Sequence, residues 1–127
     1  MAIAGIGTDL ARISRFQAFL ADGKTALIDR LFCRGEQAYA LPKRGAAAHL
    51  AARFAAKEAF FKALGLGLRD GMTWHDVEVV RNDLGRPSLQ LTGRAAAILA
   101  ERKIVATHLS YSHDGDYAVA TVILEEP

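Results

Sequence analysis

Hydrophobic residues recur along the chain with two different periods. Residues 2–8 form a short apolar run broken by glycine, which predicts an opening strand that delivers Asp9 at its end. Ile13, Phe16 and Leu20 then follow at helical spacing, leaving Arg12 and Arg15 to solvent or a partner. "ADGK" reads as a turn, one or two short helices are expected between Leu27 and Leu41, and "PKRG" at 42–45 interrupts them. The firmest element is a helix over 46–64, rich in alanine, free of internal Gly and Pro, and stopped by Gly65. Alternation predicts a strand over 74–81, with His75, Val77 and Val79 on one side. "NDLGRP" marks a turn before a short strand at 88–91. Thr92 is positioned to cap a helix through Ala95, Ile98 and Leu99, and two last strands lie in "THLSYS" and "YAVATVIL". The expected architecture is α+β, a long helix packed on a small antiparallel sheet, in one domain spanning 1–127.

Composition narrows the classes. A chain of 127 residues that is 51% hydrophobic and 24% charged is built to fold. With 16 basic against 14 acidic side chains, its net charge of +2 is too small to imply nucleic acid. The single cysteine, Cys33, excludes an intrachain disulfide and a cysteine-rich zinc site. No secretory signal or membrane span is expected, and a cytoplasmic location is inferred. Phosphate-loop, dinucleotide-binding and nucleophile-elbow patterns are absent, so "GIGTD" is promoted to none of them.

The chemistry concentrates in "RFAAKEAFFKALG", residues 53–65. Glu58 and Lys62 stand four apart and can form a surface ion pair contributing about 0.2–0.5 kcal/mol. The same residues suit a phosphoryl site: Glu58 offers a hard oxygen to a divalent cation, Lys62 a charge for phosphate, and Asp9 a second carboxylate. Spacing alone leaves both readings open. Lys57 points about 100 degrees away from Glu58.

Four blocks in order resemble one family. "GIGTDLARISRF", "RFAAKEAFFKALG", "NDLGRPSLQL" and "THLSYSHDGDYAVATVIL" are similar to the short bacterial 4'-phosphopantetheinyl transferases, the holo-acyl-carrier-protein synthases. The resemblance implies transfer of 4'-phosphopantetheine from coenzyme A to a serine of an apo acyl carrier protein, releasing adenosine 3',5'-bisphosphate. It implies Mg2+ as cofactor, held by Asp9 and Glu58, and Lys62 at the transferring phosphate, with Glu58 and Lys62 as the catalytic pair. It further implies coenzyme A contacts from Lys43, Arg44, Arg53, Gly85, Arg86, Pro87, His108 and Ser110, and a carrier-protein contact at Arg15. A homotrimer with active sites between neighbouring subunits is expected on the same ground. The competing class is a catalytically reduced coenzyme A or carrier-protein binding module, which the presence of Asp9, Glu58, Lys62 and His108 gives no reason to choose; a nucleic-acid-binding domain and a magnesium-dependent mononucleotide hydrolase do not account for the four blocks together.

Overall fold

The computed structural model describes all 127 residues. Strand β1 (Ala2–Arg12) leads into α1 (Ile13–Ala21), α2 (Thr25–Leu31), α3 (Arg34–Ala40) and the long α4 (Ala46–Leu64). A single 3-10 turn, Trp74–Asp76, precedes the hairpin of β2 (Val77–Arg81) and β3 (Pro87–Leu91). Helix α5 (Gly93–Glu101) and strands β4 (Ala106–Asp114) and β5 (Tyr117–Glu126) complete the chain. β5 is the centre of an antiparallel sheet in the order β1-β5-β4, and β2-β3 form a separate ribbon. The α+β expectation, with its long helix on a small antiparallel sheet, is met.

α4 occupies the 46–64 span read from the sequence, and its apolar residues surround most of its circumference, so it runs through the core instead of lying over it. One face packs on β1 and β5. Contact with β1 is close because Gly5 and Gly7 lack side chains: a Cβ at either position would collide with the carbonyl oxygens of Ala63 and Ala59. The helix ends where Gly65 takes φ +77° and its N–H bonds back to Phe61 and Lys62.

Three sequence expectations need correction. β1 does not end before Asp9 but continues to Arg12, so Asp9 lies within the strand, paired with Ala120 of β5. The expected strand over 74–81 begins only at Val77. His75 sits in the 3-10 turn, exposed, with its ring nitrogen bonded to the Asp29 carbonyl, and does not share the inward face of Val77 and Val79. Thr92 does precede α5, but its side chain makes no capping bond.

Two of the three buried charged side chains, Lys57 and Glu36, sit in one knot. Lys57 and Glu36 have no exposed side-chain area, and Lys57 Nζ lies 2.6 Å from Glu36 Oε1. The ammonium also donates to the carbonyls of Leu31 at 2.9 Å and Trp74 at 3.1 Å, which uses all its protons. Glu36 accepts in turn from the N–H groups of Cys33 and Val79, both at 2.8 Å. One ion pair thus fastens α4 to α2, α3, the 3-10 turn and β2. Replacing Lys57 with methionine leaves Glu36 buried without a counter-charge, and a loss of about 3–5 kcal/mol is expected in urea denaturation. Adding Glu36→Gln should restore part of it; a Lys57→Met protein as stable as wild type would show that the pair carries no such weight.

Candidate active site

Successive charged positions on α4 point to different neighbours because each residue turns the helix by about 100 degrees. Arg53 and Lys57, four apart, share the buried side facing α3 and β2. Glu58 and Lys62 share the side facing β1. There Lys62 Nζ reaches Asp9 Oδ1 at 2.8 Å and the Thr8 carbonyl at 3.2 Å. The surface pair within the helix therefore does not form: Lys62 bonds across to the strand, and Asp9 is the residue it holds. Asp9 can face α4 because Gly5 and Gly7, on the same side of β1, let the helix come down onto the strand.

Electrostatics mark Glu58 as the unsettled group. Its carboxyl is pushed above the usual range by burial first and by the Asp9 charge second, while Lys62 and Arg15 pull it back. Lys62 is raised, chiefly through its bond to Asp9, and stays charged. Two carboxylates that repel each other, with one lysine shared, have room for further positive charge. The donor set fits magnesium, which takes oxygen ligands, commonly a carboxylate or two completed by phosphate and water. No cluster of three or more acidic, His or Cys ligands exists here, as a site for a softer or fully protein-bound metal would need. Glu58 and Lys62 line an open cleft of about 540 Å3 that also includes Phe61, Leu66 and Arg69.

The remaining expected residues fall in three places. Arg15 is exposed on α1, its guanidinium 5.2 Å from the Phe54 ring and close enough to lower Glu58. Arg53, Gly85 and the β2-β3 turn line a second cleft, of about 480 Å3. In that turn Asn82 Oδ1 accepts from the N–H groups of Leu84 and Arg86, and Pro87 opens β3 opposite Arg81. Gly85 takes φ +82°, and a Cβ on it would press on the Arg81 guanidinium. Lys43 and Arg44 separate: Lys43 Nζ lies 4.5 Å from the Tyr39 ring centre, whereas Arg44 lines a shallow groove with Ile13, Gln17 and Leu20. His108 and Ser110 lie on the outer face of the three-stranded sheet, turned away from α4, where His108 pairs with Glu125. Within one chain they do not meet Glu58. Tyr39 and Arg81 were not singled out in the sequence, although Tyr39 lies one turn before Lys43 and Arg81 directly precedes the "NDLGRP" turn.

Comparison with known proteins decides what this arrangement belongs to. The profile of the 4'-phosphopantetheinyl transferase superfamily matches residues 5–122. The chain belongs to that superfamily. It is 55% identical over 125 residues to the holo-[acyl-carrier-protein] synthase of Trichlorobacter lovleyi, covering 98% of this chain and 99% of that one. The crystal structure of the Neisseria meningitidis synthase superposes with a TM-score of 0.89 at 30% identity, over 98% of this chain and 100% of the other. The Bacillus anthracis synthase, solved in complex with CoA (3',5'-ADP), gives 0.80 at 32% identity over 98% of each chain. The chain is thus a phosphopantetheinyl transferase, and no helix in it is long and apolar enough to cross a membrane.

A stability prediction follows from Glu58. Its raised pKa means that the folded state binds this proton more tightly than the unfolded state. The ionised side chain therefore opposes folding above its folded pKa and costs nothing below its ordinary value near 4.5. In metal-free buffer at about pH 7, Glu58→Gln should melt above wild type, and the gap should close as pH falls through the glutamate range. Scanning calorimetry across pH reads this; a lower or equal melting temperature at neutral pH would contradict it.

Proposed function

We propose that this transferase moves the 4'-phosphopantetheine group of coenzyme A onto a serine hydroxyl of an apo acyl carrier protein, with Mg2+ held by Asp9 and Glu58. The observation that carries the proposal is the meeting of Asp9, Glu58 and Lys62 between β1 and α4, in a chain whose relatives are holo-[acyl-carrier-protein] synthases. The serine oxygen attacks the phosphorus next to the pantetheine as its proton passes to solvent water; that phosphorus loses its bond to the bridging oxygen, and adenosine 3',5'-bisphosphate leaves. A bound magnesium ion supplies the positive charge that lets an anionic pyrophosphate accept a nucleophile.

The chain's own residues do the rest. Asp9 and Glu58 orient the pyrophosphate end. The Lys62 ammonium, about half exposed, can leave Asp9 Oδ1 for the transferring phosphate and place a proton at the departing oxygen. Arg15, beside Glu58 on the exposed side of α1, meets the acidic surface of the carrier protein. Lys43, Arg44, Arg53, Gly85, Arg86 and Pro87 take the nucleotide end of coenzyme A.

His108 and Ser110 join this site from a second copy of the chain. Two features support a homotrimer with sites between subunits. His108 and Ser110 face away from the α4 of their own chain, and the same sheet face exposes Ile6 and Leu10, each more than half accessible. A cytoplasmic location agrees with the free thiol of Cys33.

The test is to incubate the protein with coenzyme A, magnesium and an apo carrier protein and to weigh the carrier. A gain of one phosphopantetheine group, lost on chelation of the metal, is expected. Glu58→Ala and Lys62→Ala should each lower the rate by at least about a hundredfold while remaining folded. Arg15→Ala should raise the KM for carrier protein and leave that for coenzyme A unchanged. Binding of coenzyme A without modification of the carrier, or near-normal transfer by folded Glu58→Ala, would overturn the assignment.

A further inference from the structure

Arg53 and Arg81 in the second cleft, with Lys43 beside it, form a group of cations without counter-ions. Arg53 is 1% exposed, yet its guanidinium donates only Nη1, to the His49 carbonyl at 3.2 Å, while Nε is buried with no partner. No carboxylate pairs with it. Its Cζ instead lies 4.5 Å from the centre of the Tyr39 ring. Lys43 Nζ lies 4.5 Å from the same ring, and Arg81 Cζ 5.2 Å. The cations come from α4, the loop preceding it and β2; the ring comes from α3. His49 packs edge-on against the ring, centroids 5.5 Å apart.

Three like charges gathered at one point need something to hold them there. A carboxylate would do so, but it would also occupy the donors and repel an incoming anion. An aromatic face attracts cations through its quadrupole without neutralising them and leaves the N–H edges free. The local field remains positive: His49 is held below its ordinary pKa, by burial first and then by Arg53, Lys43, Arg81 and His113. Glu78 and Asp83 also line the cleft, but neither forms an ion pair with these cations.

We propose that Tyr39 is a positioning residue whose ring gathers Arg53, Lys43 and Arg81 into a cradle for the phosphate-bearing nucleotide end of coenzyme A. The inference rests on the reaction proposed above and adds to it two residues, Tyr39 and Arg81. The ring, not the phenol hydroxyl, does the gathering, so its effect should follow ring electrostatics. Because the cradle contacts the nucleotide and not the reacting phosphorus, it should act on KM for coenzyme A and spare kcat.

The experiment compares Tyr39→Phe and Tyr39→Leu in steady-state transfer, varying coenzyme A and, separately, 3'-dephospho-coenzyme A at saturating carrier protein. Tyr39→Phe should match wild type. Tyr39→Leu should raise KM for coenzyme A about tenfold with kcat nearly unchanged, and much less for the dephospho compound. Should Tyr39→Leu fail to fold, phenylalanines of increasing fluorination at position 39 keep the shape and weaken the ring face. Coenzyme A affinity, read by calorimetry, should fall stepwise along that series. A flat series, an unchanged KM in folded Tyr39→Leu, or Tyr39→Phe as impaired as Tyr39→Leu would overturn the proposal. Absence of transfer by the wild-type protein would instead count against the proposed reaction, and the calorimetric series would still decide the role of Tyr39.

Discussion

Everything that α4 positions is positioned by the Lys57–Glu36 pair. Two charges fully removed from water are costly, and the cost is offset only because every ammonium proton and both carboxylate oxygens have partners. Those partners belong to four other segments, so the rotation and height of α4 are set by one buried contact. With Lys57 fixed, Glu58 and Lys62 must face β1 and Arg53 must face Tyr39. The neighbouring "KE" residues thus do unlike work: Lys57 builds the frame, and Glu58 faces the cleft beside Asp9, where the chemistry is proposed to occur.

Small residues make that geometry close enough to act. Gly5 and Gly7 let the strand approach the backbone of α4, which brings Asp9 to Lys62. The resulting cluster is not at rest, since Glu58 is half-buried beside a second carboxylate. The proposed magnesium–pyrophosphate site would use that surplus of negative charge, as the proposed nucleotide cleft would use the surplus of positive charge around Tyr39. The two clefts lie on different sides of α4, and the outer sheet face holds His108. Substrate long enough to use all three would be gripped by more than one copy of the chain, in line with the proposed trimer.

Much of this was legible from the sequence, for physical reasons. The 46–64 helix was readable because alanine, leucine and the Gly65 stop agree with one another. Asp9, Glu58 and Lys62 were identifiable as candidates, but their meeting depends on how β1 lies against α4. β1 runs past its expected end because the charged Asp9 looks like a strand terminus in sequence, whereas pairing with β5 carries the strand on to Arg12. His75 falls outside the strand because a 3-10 turn and the start of a strand look alike over three residues. Lys57 offered only its direction on the helix, since its partner Glu36 lies 21 positions earlier. The Tyr39 cluster left only a faint trace, its i,i+4 spacing to Lys43, because cation–ring contacts between elements have no period along the chain.

Asp9 and Glu58 are proposed to act together as the oxygen ligands of one divalent ion when coenzyme A is present. Manganese, a paramagnetic substitute for magnesium, allows binding to be counted directly by electron paramagnetic resonance in the protein–coenzyme A complex. One tightly bound ion per chain is expected for wild type, with loss of that ion in folded Asp9→Asn and in folded Glu58→Gln. Unchanged manganese binding in either variant would contradict the account.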